Sequence, residues 1–178
     1  MVTGKTLEIE EGACVSPKLI SGAYELQEVF SCWNPSLKKF KFHANEEIHE
    51  SINTGTATFF SGGIDGLYTL GKHPNEITHL VYINGFDFEM SPEIFEASVM
   101  RIRRIAESFN KVLIPVETNN YAFMKHHKIS RILNFGSCLA SVALFLGFSN
   151  TFIPAGHTYY ELFPHGSHPL TEIGRAHV

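Results

Sequence analysis

From Thr54 onward, short apolar runs alternate with longer stretches of helical spacing. The runs Thr56–Phe60, Ile77–Ile83, Lys111–Val116 and Thr151–Ile153 are rich in β-branched or aromatic residues and lack clean polar alternation. That is the pattern of strands covered on both faces in a parallel sheet. Between them, Ser91-Pro92 opens a segment in which Ile94, Phe95, Val99, Ile102, Ile105, Ala106 and Phe109 share one helical face. A second helix is expected from about Ser130 to Leu146, with Leu139, Val142, Ala143 and Leu146 at i, i+3, i+4 and i+7.

The first third of the chain reads differently. Leu7 and Ile9 alternate with polar neighbours, Ser16-Pro17 is a cap and first residue for a helix to about Phe30, and Lys38–His43 alternates at period two. The expected architecture is α/β, a parallel sheet flanked by helices over residues 54–171. A small N-terminal α+β appendage, strand–helix–strand, occupies residues 1–53. Right-handed crossovers join successive parallel strands, and ligands bind at the carboxyl ends of such strands.

Composition narrows the function classes. With 178 residues and 44% hydrophobic content the chain can bury one substantial core. Its net charge of −4 provides no broad attraction for nucleic acid or an anionic membrane. The longest apolar stretch, Leu139 to Phe148, falls well short of the about 20 residues a bilayer requires. The N-terminus MVTGKTLEIEEG lacks the apolar core of a signal peptide. Cys14, Cys32 and Cys138 are widely separated and form no CxxC pair, so reduced thiols in a cytoplasmic protein are expected. At the other end, Glu172–Val178 (EIGRAHV) reads as an in-frame sequencing adapter, and natural sequence is expected to stop near Thr171, short of a C-terminal portion.

The candidate chemistry lies where the first core run meets its helix, in FFSGGIDGLYTL. Gly62 and Gly63 let the backbone take positive φ and approach a ligand without a Cβ between them. Successive N–H groups in such a turn form an anion nest, and the following helix adds its positive end. Ser61 supplies a hydroxyl. Asp65 suits an anion site when Mg²⁺ sits between carboxylate and phosphate. No GKS or GKT follows, so this is not a Walker A loop.

SGGxD after the first strand resembles the PP-loop of the ATP pyrophosphatase superfamily, of the adenine-nucleotide α-hydrolase-like (HUP) fold. FFSGGIDGLYTL, ITHLVYINGFDF, LIPVETN, GSCLASVALFL and PHGSHPL are together similar to a bacterial branch resembling 7-cyano-7-deazaguanine synthase or asparagine synthetase. The resemblance implies that Ser61, Gly62, Gly63, Asp65 and Gly66 form the loop that holds ATP and Mg²⁺, with Asp65 as the metal ligand and Ser61 and Asp65 as the catalytic pair. It implies backbone contacts to adenine along Tyr82-Ile83-Asn84-Gly85, and adenylation of a small carboxylate or carbonyl acceptor with loss of pyrophosphate. Gly66 departs from the pattern, since the superfamily usually has Ser or Thr there. The missing hydroxyl favours an alternative, a nucleotide-binding module with weak or no turnover.

Other candidates stay open between two roles. Gly136 and Ser137 bring backbone near the ligand or serve close helix packing. His157, His165 and His168, with Gly166 and Ser167, contact the acceptor or hold a metal, the second option making the chain a His-based metallohydrolase. Tyr159 and Tyr160 stack on substrate or pack. Glu117 and Asn119 contact substrate or cap a helix. Cys138 falls in a buried pattern and reads as core, and His126-His127-Lys128 as a solvated basic corner.

Overall fold

A computed structural model describes residues 1, 3–10, 13–47, 53–154, 163–166 and 168–172. In the N-terminal part, β1 (Leu7–Glu8) pairs in parallel with β3 (Phe42–His43), and β2 (Cys14–Val15) with β4 (Asn45–Glu46). Helix α1 (Pro17–Trp33) lies between them in sequence and runs three residues beyond the expected end at Phe30. The second strand pair was not expected from the sequence.

The main sheet contains β5 (Asn53–Phe59), β6 (His79–Asn84), β7 (Val112–Glu117) and β8 (Phe148–Phe152), all parallel, in the order β7-β6-β5-β8. Helix α2 (Ile64–Lys72) follows β5, α3 (Pro92–Ser108) follows β6, and α4 (Asn120–His127) and α5 (Arg131–Leu146) join β7 to β8. A short α6 (Pro169–Glu172) ends the described chain. The chain therefore builds outward from β5 to β7, then returns to place β8 on the other side of β5. The strand order reverses beside β5, and the carboxyl edge at such a reversal is where open parallel sheets hold ligands.

Both faces of the sheet are covered. Leu80 and Tyr82 of β6 pack with Leu70, Phe95, Ile102 and Ala106 from α2 and α3. Val81 packs with Ala57, Phe59, Leu139 and Phe148 on the α5 side. Period-two alternation is thus present in β6, but both phases are apolar because each meets helices. Full burial of such a side chain contributes about 1.5–3 kcal/mol.

Helix α5 ends as its sequence indicates. Ser130 Oγ accepts a bond from Leu133 N–H at 3.4 Å, and Gly147 closes the helix at φ +64. On α3, Phe95, Ile102 and Ala106 are buried, whereas Ile94 and Phe109 are exposed, so the buried face is narrower than expected. Among the described residues no helix is long and apolar enough to cross a membrane.

Candidate functional site

The β5–α2 joint is a strand–turn–helix. Phe60 is buried beneath it and donates its N–H to Val81 O at 2.8 Å, which pins the end of β5 to β6. Gly62 has φ +81, a conformation that L side chains rarely adopt. Gly63 has φ −79 and is the N-cap of α2, so only one of the two glycines takes the positive φ expected of both. A Cβ at Gly63 would meet only Ser61 Oγ, at 3.5 Å.

No side chain caps α2, so the first-turn amides of Ile64, Asp65 and Gly66 have no partner within the helix. Asp65 places its exposed carboxylate in that turn. Gly66 is buried, and a Cβ there would stand 3.0 Å from Phe60 Cδ2. Absence of a side chain at Gly66 therefore lets α2 sit down on Phe60.

This joint opens on a cavity of about 710 Å³ at the carboxyl edge of the sheet. Ser61, Gly63, Asp65 and Gly66 line one side, and Tyr82 and Ile83 the floor. Alternate residues of a parallel strand bond to opposite neighbours. Val81 O accepts from Phe60 on β5's side, and Asn84 O accepts from Thr118 N–H, just beyond β7, at 3.0 Å. Ile83 shares the phase of Val81, so its N–H and C=O face the side where β5 has already ended. Gly85 is differently employed. Its N–H donates to Phe88 O at 3.1 Å, its C=O accepts from Tyr121 N–H at 2.8 Å, and its φ is +80. A Cβ at Gly85 would lie 1.8 Å from Thr118 O. Gly85 shapes the loop through a close backbone crossing.

Asn84, buried at the end of β6, was expected to offer backbone groups alone, and the role of its side chain was not expected. Its Oδ1 accepts from Met90 N–H at 2.9 Å and its Nδ2 donates to Met90 O at 3.5 Å. The amide thereby holds both ends of the 85–90 loop, which supplies Phe86, Asp87, Phe88 and Glu89 to the cavity wall. Arg101 was also missed. Among the described residues it is the one cationic side chain on that wall, and with Ile94 and Ser98 it forms an i, i+4, i+7 stripe along α3 that the sequence contained. Arg131 stays outside, donating from Nη1 to Asp87 O at 3.1 Å.

The remaining candidates lie elsewhere. Gly136 and Ser137 are in the second turn of α5, not at its start. A Cβ on Gly166 would stand 2.7 Å from Gly136 N, so these glycines permit close backbone packing. His165 is buried, its ring 5.8 Å from that of His168, which in turn meets Trp33 edge-on at 5.1 Å. Neither histidine lines the large cavity. Ser167, His157, Tyr159 and Tyr160 lie outside the described residues. Glu117 ends β7, and Asn119 is the N-cap position of α4 without a side-chain capping bond. His126, His127 and Lys128 are exposed at the end of α4, where the Lys128 ammonium meets the negative end of the helix.

Cys138 is buried, donates to Asn120 Oδ1 at 2.9 Å and accepts from Asn134 Nδ2 at 2.8 Å. Burial pushes its thiol up to about 11, so at neutral pH it is a protonated structural group. Among the described residues, no group of three or more His, Cys, Asp or Glu converges to hold a metal. Comparison of the chain with family models, curated proteins and solved structures finds no match.

Proposed function

We propose that the chain is a PP-loop enzyme of the adenine-nucleotide α-hydrolase-like (HUP) class that binds ATP with Mg²⁺ and adenylates a carboxylate or carbonyl acceptor. The observation that carries this reading is the β5–α2 joint: a glycine at positive φ, unpartnered helical amides and an exposed carboxylate, opening together on one cavity. Phosphate oxygens accept from the first-turn amides of α2 and from Ser61. Ile83 offers one donor and one acceptor to the adenine edge. Asp65 lines the cavity and makes no ion pair among the described residues, which leaves its carboxylate free to share Mg²⁺ with phosphates. The cation, when bound, neutralises charge on the departing pyrophosphate. The acceptor oxygen forms its bond to the α-phosphorus as the bond to the bridging β-phosphate oxygen breaks. The protein's share is positioning and charge placement.

Titration calorimetry with ATP·Mg²⁺ tests the site. Gly62→Ala should weaken binding about tenfold, because restoring the nest shape against a left-handed alanine costs about 1–2 kcal/mol. Gly63→Ala should weaken it less, having only Ser61 Oγ to meet. Equal affinities for wild type and Gly62→Ala would remove the assigned role. With an acceptor present, pyrophosphate and the adenylated acceptor should form, AMP following when a second nucleophile or water displaces it, and Asp65→Asn should abolish all three; ADP as the main product would defeat the mechanism.

A second reading, a nucleotide-binding module with little turnover, is favoured by one feature. Position 66 is closed against Phe60, so a hydroxyl cannot be placed there without moving the ring. Tight ATP binding without pyrophosphate would select it. The His-based metallohydrolase has no described ligand set to support it.

A further inference from the structure

A second, smaller cavity of about 210 Å³ opens at the carboxyl end of β7. Its polar wall is formed by Thr118, Asn119, Asn120, Cys138 and Ser141, and among the described residues no charged one lines it. Phe86 lines both this cavity and the large one, so the two adjoin at that aromatic side chain. That ring is fixed edge-on against Phe135 of α5, with centroids 4.9 Å apart.

The hydrogen-bonding capacity left open in the small cavity is mixed. Cys138 donates to Asn120 Oδ1, which fixes the Asn120 amide and leaves its Nδ2 with only a 3.9 Å contact to Met124 Sδ. Thr118 Oγ1 accepts from Asn120 N–H at 3.3 Å and keeps its own proton to donate. Ser141 Oγ donates to Cys138 O at 2.7 Å and keeps its lone pairs. Asn119 adds one amide that caps nothing. Donors and acceptors therefore stand side by side without charge. A carboxylate or an ammonium entering would find no counter-charge and would forfeit hydration. A group carrying both C=O and N–H would satisfy both kinds of wall atom.

We propose that this cavity is a subsite for a small uncharged amide-type group, the end by which the acceptor is recognised beside the nucleotide. Its role toward the acceptor rests on the nucleotide reading; its ligand preference does not. The test uses ¹⁵N-labelled full chain and three probes of similar size: acetamide, acetate and methylammonium. Acetamide should shift the side-chain amide resonances of Asn119 and Asn120 saturably, with at least tenfold higher affinity than either ion. Ser141→Trp, an exposed position, should lower acetamide affinity at least tenfold while the backbone signals of Leu139 and Phe148 stay in place. Equal responses to the three probes, a linear response, or an unchanged response in Ser141→Trp would each overturn the subsite. Titration of the same sample with ATP·Mg²⁺ reports separately through the amides of Gly62, Gly63 and Ile83. Acetamide binding without an ATP response would keep the subsite and sink the nucleotide reading, and the converse would do the reverse.

Discussion

Helices α1 and α3 begin alike and end differently in energy. Each has 17 residues and opens on Ser-Pro, Ser16-Pro17 in one and Ser91-Pro92 in the other, with the serine extended and proline in the first turn. Helix α3 lies on a four-stranded sheet and buries Phe95, Ile102 and Ala106. Helix α1 buries Phe30 and one amide, Gln27, and its companion strands are two residues long and mostly exposed. Local sequence signals start a helix equally well in both places. What differs is the surface available to cover it, and most helical stability in proteins comes from that cover.

The largest expected effect tests this contrast directly. Ile102, 0% exposed, should cost about 2–5 kcal/mol on truncation to alanine, from lost transfer energy and a cavity that the sheet cannot close. Leu19 on α1 is 44% exposed, and Leu19→Ala should stay within about 0.5 kcal/mol. Urea unfolding of the two variants decides the matter. Equal losses would mean that the appendage is integrated into the same cooperative core.

A smaller effect is expected at Gln27. Its Oε1 accepts from Phe40 N–H at 2.6 Å, while its buried Nε2 has no partner among the described residues. Gln27→Leu removes the acceptor and the orphaned donor together, so the net change should be about 1 kcal/mol or less. Hydrogen exchange should quicken at the Phe40 amide and stay unchanged at Leu80 and Val81. Faster exchange at all three would couple the two regions.

Much of the fold was legible because its signals are local. The helix expected from about Ser130 to Leu146 is α5, Arg131–Leu146, and the SGG joint reads as strand, turn and helix. The start of β8 was not legible, since Phe148-Ser149-Asn150 alternates with polar residues and is held to β5 by backbone pairing, with Thr56 opposite Asn150. Which glycine takes positive φ was likewise hidden: Gly62 and Gly63 are identical in type, and the path into α2 chooses between them. Arg101 is one of several charges on α3, with Arg103 and Arg104 close by in sequence. Only the placement of α3 beside α2 turns it toward the cavity of the SGG loop. The second cavity needed more still, because α4 and α5 must pack together before Asn120 and Cys138 meet.

A third test uses pH. The Cys138 thiol, pushed up to about 11 by burial, ionises in the unfolded chain near its ordinary value of 9.0. The folded state therefore holds that proton more tightly, and the associated stability is intact below pH 9 and is lost as pH rises toward 11. Unfolding free energies measured from pH 8 to 11 should fall more steeply for wild type than for Cys138→Ser. Parallel slopes would mean that the thiol is not sealed into α5's packing.

The smallest effect belongs to the appendage and one of its two exposed thiols. Cys14 is exposed, and its thiol is raised chiefly by a hydrogen bond to the Glu47 carboxylate, which favours the protonated form. Glu47 reaches it because Glu47 N–H bonds Val15 O at 3.1 Å, the last rung of the β2–β4 pair. The thiolate is the form that alkylates, so Glu47→Gln should make Cys14 react measurably faster with iodoacetamide at pH 8. Cys138 should remain unlabelled over the same period, being buried and protonated. An unchanged Cys14 rate would mean that β2 and β4 open faster than the reagent attacks, so that the carboxylate is no longer beside the sulfur when the reaction occurs. The contrast between the regions would then be sharper: a sheet that keeps its thiol closed, and a two-residue rung that does not hold its own.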